Sequence, residues 1–244
     1  MLRRTRALLA GRLDRRAPAG PILDVGSGEG TLLDALAARG RVAVRPRAGE
    51  QAARRSDVRA VEIVEFDERP GEWAAVVFWH SLEHPREPRA AVRPALSLLA
   101  PSGLLIIAVP NRASWQARLF GHRWLALDLP RHLVHLPAGA LVDGMRASGL
   151  KIDRVSYWRA GQVAFGWLHG LVSMLPGRPN LYDAIRQPEA RAISMTPSRR
   201  AATLAAGVGL APVAIVLAAA EIAAGARAGA CTSKREPTAP PRTA

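Results

Sequence analysis

The chain has 244 residues, 49% of them apolar, enough for one α/β domain with an appendage and a sizeable core. Its single cysteine, Cys231, excludes an internal disulfide framework and suits a reducing, cytoplasmic setting. The formal charge of +14 raises nucleic acid or an anionic surface as a partner, but only Lys151 and Lys234 among the 34 basic residues are lysines. The arginines are scattered and form no stripe, so nucleic acid is not the expected partner.

In chain order, residues 1–19 read as a basic N-terminal helix whose apolar run Ala7-Leu8-Leu9-Ala10 is too short for a signal-peptide core. Strands are predicted near 21–25, 41–45, 58–65, 74–79, 104–109 and 150–157. Helices are predicted near 30–39, 48–55, 87–99 (kinked at Pro94) and 137–148. This alternation over 20–158 predicts a doubly wound, mostly parallel sheet with helices on both faces. Residues 159–200 carry Gly, Pro and aromatics without periodicity and read as an irregular cover. An apolar helix follows over 201–226. Its first twenty positions, 201–220, are uncharged and long enough to span a bilayer. Ala, Gly and Pro weaken its hydrophobic drive, so a core helix is the favoured reading over membrane association. The tail, 227–244, is rich in Pro, Thr and charge and reads as disordered, and 226–236 make a poor final strand.

The most informative stretch is Pro21-Ile22-Leu23-Asp24-Val25-Gly26-Ser27-Gly28-Glu29-Gly30. A short apolar strand ends in an acid, and three glycines follow at alternate positions before an amphipathic helix. Such glycines let backbone pass close to a ligand, and the helix start offers unpaired N–H groups. A dinucleotide fingerprint would need a glycine where Thr31 stands, and a phosphate-binding loop would need a lysine.

The pattern D-x-G-x-G-x-G resembles motif I of class I S-adenosylmethionine-dependent methyltransferases. Trp79-His80-Ser81-Leu82-Glu83-His84-Pro85 is similar to the end of strand four in that family. Leu99-Ala100-Pro101-Ser102-Gly103 and Pro110-Asn111 resemble the start and exit of strand five. Phe120-Gly121, Trp124 and Leu127-Asp128-Leu129-Pro130-Arg131-His132-Leu133-x-His135 resemble a bacterial branch acting on small molecules. The resemblance covers about 20–155. It implies a Rossmann-like fold and S-adenosylmethionine as cofactor, held by Asp24, Gly26, Ser27, Gly28, Gly30, Arg45, Trp79 and His80. It further implies methyl transfer, at oxygen, to a small or lipid-linked acceptor.

Strand ends face the ligand crevice of an open α/β sheet. His80, Glu83 and His84 follow strand four, and His132 and His135 follow strand five, so these five are the catalytic candidates. His84 and His132 are the first choices as general base. His80-x-x-Glu83-His84 also fits an inverted zinc-peptidase pattern, but that motif needs a helix, and here a strand precedes and Pro85 follows. Related ubiquinone-pathway O-methyltransferases carry E-x-x-E-H, which can hold a divalent cation. This chain has His80 in place of the first glutamate, and no metal ligands are assigned. The family also carries an acid at the end of strand two for the cofactor ribose. Arg45 stands there and can only donate hydrogen bonds. Glu50 is a possible substitute. Arg45 also admits an NADP-dependent oxidoreductase as a rival reading, beside a degenerate fold kept as a binding or membrane scaffold.

Overall fold

The computed structural model describes residues 2–45, 69–156, 160–186, 195–224 and 230–235. The predicted helix 48–55, the strand 58–65 and Glu50 lie outside them. The chain divides into two compact units. The first comprises Met1–Pro110, Leu129–Ser156 and Gly229–Ala244, and the second Asn111–Asp128 and Tyr157–Ala228.

The first unit runs α1 (Leu2–Arg16), β1 (Ile22–Val25), α2 (Thr31–Ala37), β2 (Ala43–Val44), β3 (Trp73–Trp79), α3 (Pro88–Leu98), β4 (Leu99–Ala108), α5 (Ala138–Ala147), β5 (Leu150–Ser156) and β6 (Ala230–Arg235). The remaining helices, α4 (Trp115–Phe120), α6 (Ala160–Ser173), α7 (Leu181–Ile185) and α8 (Pro197–Ala223), belong to the second.

The sheet order is β2-β1-β3-β4-β6-β5. β2, β1, β3 and β4 pair in parallel, as predicted. Successive side chains of a strand point to opposite faces, and both faces are apolar here. Leu23, Val25, Val76, Phe78, Leu105 and Ile107 pack with Ala91, Ala95 and Leu98 of α3 and Met145 of α5. Ile22, Ala75, Val77, Leu104 and Ile106 pack with Leu9, Ala10 and Leu13 of α1 and Leu32 and Leu36 of α2. Burial on both faces explains why β3 reads as an unbroken apolar run.

Three expectations are corrected. Residues 230–235 form β6, antiparallel to both β4 and β5, where the sequence suggested a disordered tail. Ala-Cys-Thr-Ser-Lys-Arg shows no apolar alternation, and two flanking strands supply the pairing its own pattern does not advertise. The segment 159–200, read as irregular, contains α6 and α7. The apolar helix is α8, but only one of its faces is buried, through Thr203, Gly207, Ala214, Ala218 and Glu221. Pro94 lies within α3, which continues through it.

The second unit has its own core, in which Ala117, Phe120 and Trp124 meet Val163 and Trp167 of α6 and Ala214 and Ala218 of α8. The Glu221 carboxylate sits inside it and accepts from the Trp115 backbone N–H at 2.7 Å, Gln116 Nε2 at 3.2 Å and Trp167 Nε1 at 2.7 Å.

Candidate cofactor and acceptor site

The predicted site residues of the first unit gather at the carboxyl ends of β1 and β3. Gly26, Gly28 and Gly30 all have positive φ, of 78°, 57° and 77°. At Gly26 a Cβ would lie 2.6 Å from the Ser81 Cβ. Ser81 is held in place because its hydroxyl donates to the Val25 carbonyl at 2.6 Å. Gly26 therefore answers both to a left-handed backbone and to the close approach of the β3 exit. Ser27 is buried, and its carbonyl accepts from the Gly30 N–H, closing the turn into α2.

Asp24, at the end of β1, is 1% exposed. Neither of its carboxylate oxygens has a hydrogen-bond partner. Burial pushes its pKa up to about 6, against the opposing pull of the Arg6 charge. Arg6 reaches over from α1, with its guanidinium carbon 5.3 Å from the centre of the Trp79 ring. Its Nη1 is buried and likewise without a hydrogen-bond partner. Burial lowers the Arg6 pKa, and Asp24 partly offsets this. A buried acceptor and a buried donor of opposite charge thus stand near one another with hydrogen-bonding capacity unused. That pair is complementary to an α-amino acid group, whose ammonium suits Asp24 and whose carboxylate suits Arg6. The residues fit the methionine end of S-adenosylmethionine.

Sequence reading missed Arg6. It is one of several arginines on α1, and only the fold shows which of them reaches the end of β1. Arg45 is exposed just past β2, beside the segment outside the described residues.

The second cluster is built on the β3 exit. His80 has φ 56°, an uncommon conformation for a residue with a side chain. Its N–H donates to the Ala108 carbonyl of β4 at 2.8 Å. His80 Nδ1 lies 3.1 Å from Glu83 Oε1, and His132 Nε2 lies 3.9 Å from the same oxygen. Burial alone would raise the Glu83 pKa. The hydrogen bond and charge of His80, with His132 behind them, bring it below the usual carboxylate range. The Leu133 and Val134 N–H groups both donate to the Glu83 carbonyl, which ties the Arg131–His135 loop to β3. His84 lies with Nδ1 2.9 Å from the Arg131 carbonyl and Nε2 3.2 Å from the His80 carbonyl. The His132 ring centre is 5.2 Å from that of His84 and 6.4 Å from that of His135. His80, His84 and His132 therefore cluster at Glu83, with His135 beside His132. Glu83, His84 and His132 also present ligand atoms within 4.8 Å of one another.

A family model described as a methyltransferase domain matches residues 1–155. The chain belongs to that family. It is a class I S-adenosylmethionine-dependent methyltransferase, which removes the oxidoreductase reading of Arg45. It is 29% identical over 157 residues to a ubiquinone biosynthesis O-methyltransferase of Xanthomonas campestris pv. campestris, covering 57% of this chain and 66% of the relative. Another of that name from Xanthomonas axonopodis pv. citri is 30% identical over 161 residues, covering 58% and 67%. The match to the first thus spans just under two thirds of that relative's length. An S-adenosylmethionine-dependent methyltransferase from Archaeoglobus fulgidus shares the fold, with a TM-score of 0.52 at 16% identity and 94% coverage of both chains.

Proposed function

We propose that this methyltransferase acts in the cytoplasm on an oxygen of a small or lipid-linked metabolite, using a histidine–carboxylate pair as base. The observation that carries the reading is the placement of the Asp24–Arg6 pair and the Glu83 cluster at neighbouring strand ends. The O-methyltransferase relatives support oxygen as the acceptor atom.

When bound, S-adenosylmethionine supplies a methyl group on a sulfonium, a good leaving group that needs no acid. Asp24 and Arg6 hold the amino acid end, and the glycine turn leaves room for the rest against the backbone. Much of the catalysis is then alignment. An acceptor hydroxyl also has to lose a proton. Glu83 Oε1 lies 3.1 Å from His80 Nδ1, the arrangement by which a carboxylate orients a general-base imidazole. His80 is therefore the base, and Glu83 orients it and stabilises the imidazolium that forms. This reverses the order suggested by the sequence, because both nitrogens of His84 face backbone carbonyls. His84 positions the Arg131–His135 loop, and His132 adds a second imidazole on Glu83.

The test is methyl transfer by full-length protein to a panel of phenols and catechols with and without isoprenoid tails, read as S-adenosylhomocysteine released. His80→Ala is expected to cut turnover by about 10²–10⁴-fold, far more than it weakens S-adenosylhomocysteine binding. Arg6→Gln is expected to weaken that binding at least about tenfold, the scale of one charge-assisted hydrogen bond. Unchanged turnover in His80→Ala would refute the base assignment. A second reading places a divalent cation on Glu83, His84 and His132. Two imidazole ligands favour zinc or nickel over magnesium there. Loss of turnover on chelation, with recovery on adding one of those ions, would select it.

A further inference from the structure

The outward face of α8 is unlike that of a soluble surface helix. Between Arg200 and Ala223 the only polar side chains are Thr203 and Glu221, and both are buried. The opposite side consists of Ala, Val, Ile, Gly and Pro. On it Val208 is 77% exposed, Val213 48%, Ile215 60% and Val216 66%. A surface helix ordinarily turns its polar stripe outward, and here the polarity is inverted. Exposed apolar surface of this extent marks contact with a protein or a membrane.

Two features select the occupant. Among the described residues of the second unit, Arg112, Arg118, Arg123, Arg178, Arg186, Arg199 and Arg200 face only three acids, and two of these, Asp183 and Glu221, are buried. The unit is therefore strongly basic, which opposes pairing with a second copy and suits anionic headgroups. The exposed residues are also small and aliphatic. Protein interfaces draw their affinity from Trp, Tyr and Arg anchors seated in pockets, which this face lacks, whereas fluid acyl chains need no matching shape.

We propose that α8 lies along an anionic bilayer with Val208, Ile215 and Val216 in the acyl region, drawn there by the excess of arginine in its unit. The buried face stays on the core of its own unit, so the helix rests in the surface rather than crossing it. This inference stands apart from the methyl-transfer reading, and its test needs no acceptor.

The experiment is flotation of purified full-length protein with vesicles of phosphatidylcholine, alone or mixed with phosphatidylglycerol. The protein is expected to float with the mixed vesicles and far less with phosphatidylcholine alone. Val208→Ser, Ile215→Ser and Val216→Ser together are expected to lower the vesicle-bound to free ratio at least about tenfold, given the apolar area removed. The melting temperature and S-adenosylhomocysteine binding of that variant should match the parent, because the three side chains are exposed. Failure of the parent to float with either vesicle, or equal flotation of the folded triple variant, overturns the proposal. A dimer seen by light scattering that the triple variant dissociates, with no vesicle binding, would assign the face to a second copy instead.

Discussion

At the scale of single residues, Asp24 carries the clearest consequence. Its pKa in the fold, about 6, lies above the ordinary value of 3.8. The folded protein therefore holds this proton more tightly than the unfolded chain does. Stability without cofactor is greatest below pH 4 for this group and is lost as pH rises to about 6, by an amount of order 3 kcal/mol. Asp24→Asn should accordingly raise the melting temperature of the cofactor-free protein at neutral pH. Binding has the opposite slope, because an ammonium group needs the ionised carboxylate. Affinity for S-adenosylhomocysteine is expected to fall about tenfold between pH 7 and pH 5, and the Asn variant should bind weakly with a flatter profile. Calorimetry across that range reads both. Gly26 offers a second test. Gly26→Ala must place a side chain at φ 78° against the Ser81 Cβ. A loss of about 2 kcal/mol or more is expected in urea denaturation. Asp24 and the glycines were legible because strand, acid and turn adjoin in sequence. Arg6 was not, because its role depends on how α1 lies across the sheet. The order of the histidines was also hidden, since which carbonyls face His84 is decided by the loop that folds back onto Glu83.

At the scale of elements, α8 is tied down by one carboxylate. Glu221 takes three hydrogen bonds inside the second unit. Glu221→Ala would leave the Trp115 backbone N–H and Trp167 Nε1 without this acceptor, and Gln116 Nε2 with the Val163 carbonyl alone. The expected cost is about 3 kcal/mol or more, with Glu221→Gln less severe, measured by thermal denaturation followed through tryptophan fluorescence. The helix was legible from its twenty uncharged residues, but its inside was not. Nothing in the sequence around this lone glutamate marks it as buried, whereas in the fold it is a core acceptor. β1, β3 and β4 were legible for the opposite reason, being apolar on both faces. β2 is only two residues long, Ala43–Val44, and its predicted length was overstated.

At the scale of the whole molecule, the two units are interleaved along the chain. The second is inserted twice into the first, and β6 follows α8. Truncation after Arg200 therefore removes β6 together with α8. It would strip the shared partner from β4 and β5 and leave an open edge on the sheet. The truncated chain is expected to be insoluble whether or not α8 touches lipid, as the soluble fraction on expression would show. Deletion thus cannot report on the membrane, and surface substitutions on α8 can. The order of strands hid this from the sequence, because a central strand drawn from residues so far downstream leaves no local trace.

That order also bears on how the protein is made. β4 leaves the ribosome about 120 residues before β6 does. At 5–20 residues per second, its free edge waits roughly 6–25 s for its neighbour. During that interval the helical second unit emerges and can close its own core, while the sheet of the first unit stays unfinished. A chaperone that shields the β4 edge, or faster translation of the segment between β4 and β6, should therefore raise the yield of native protein.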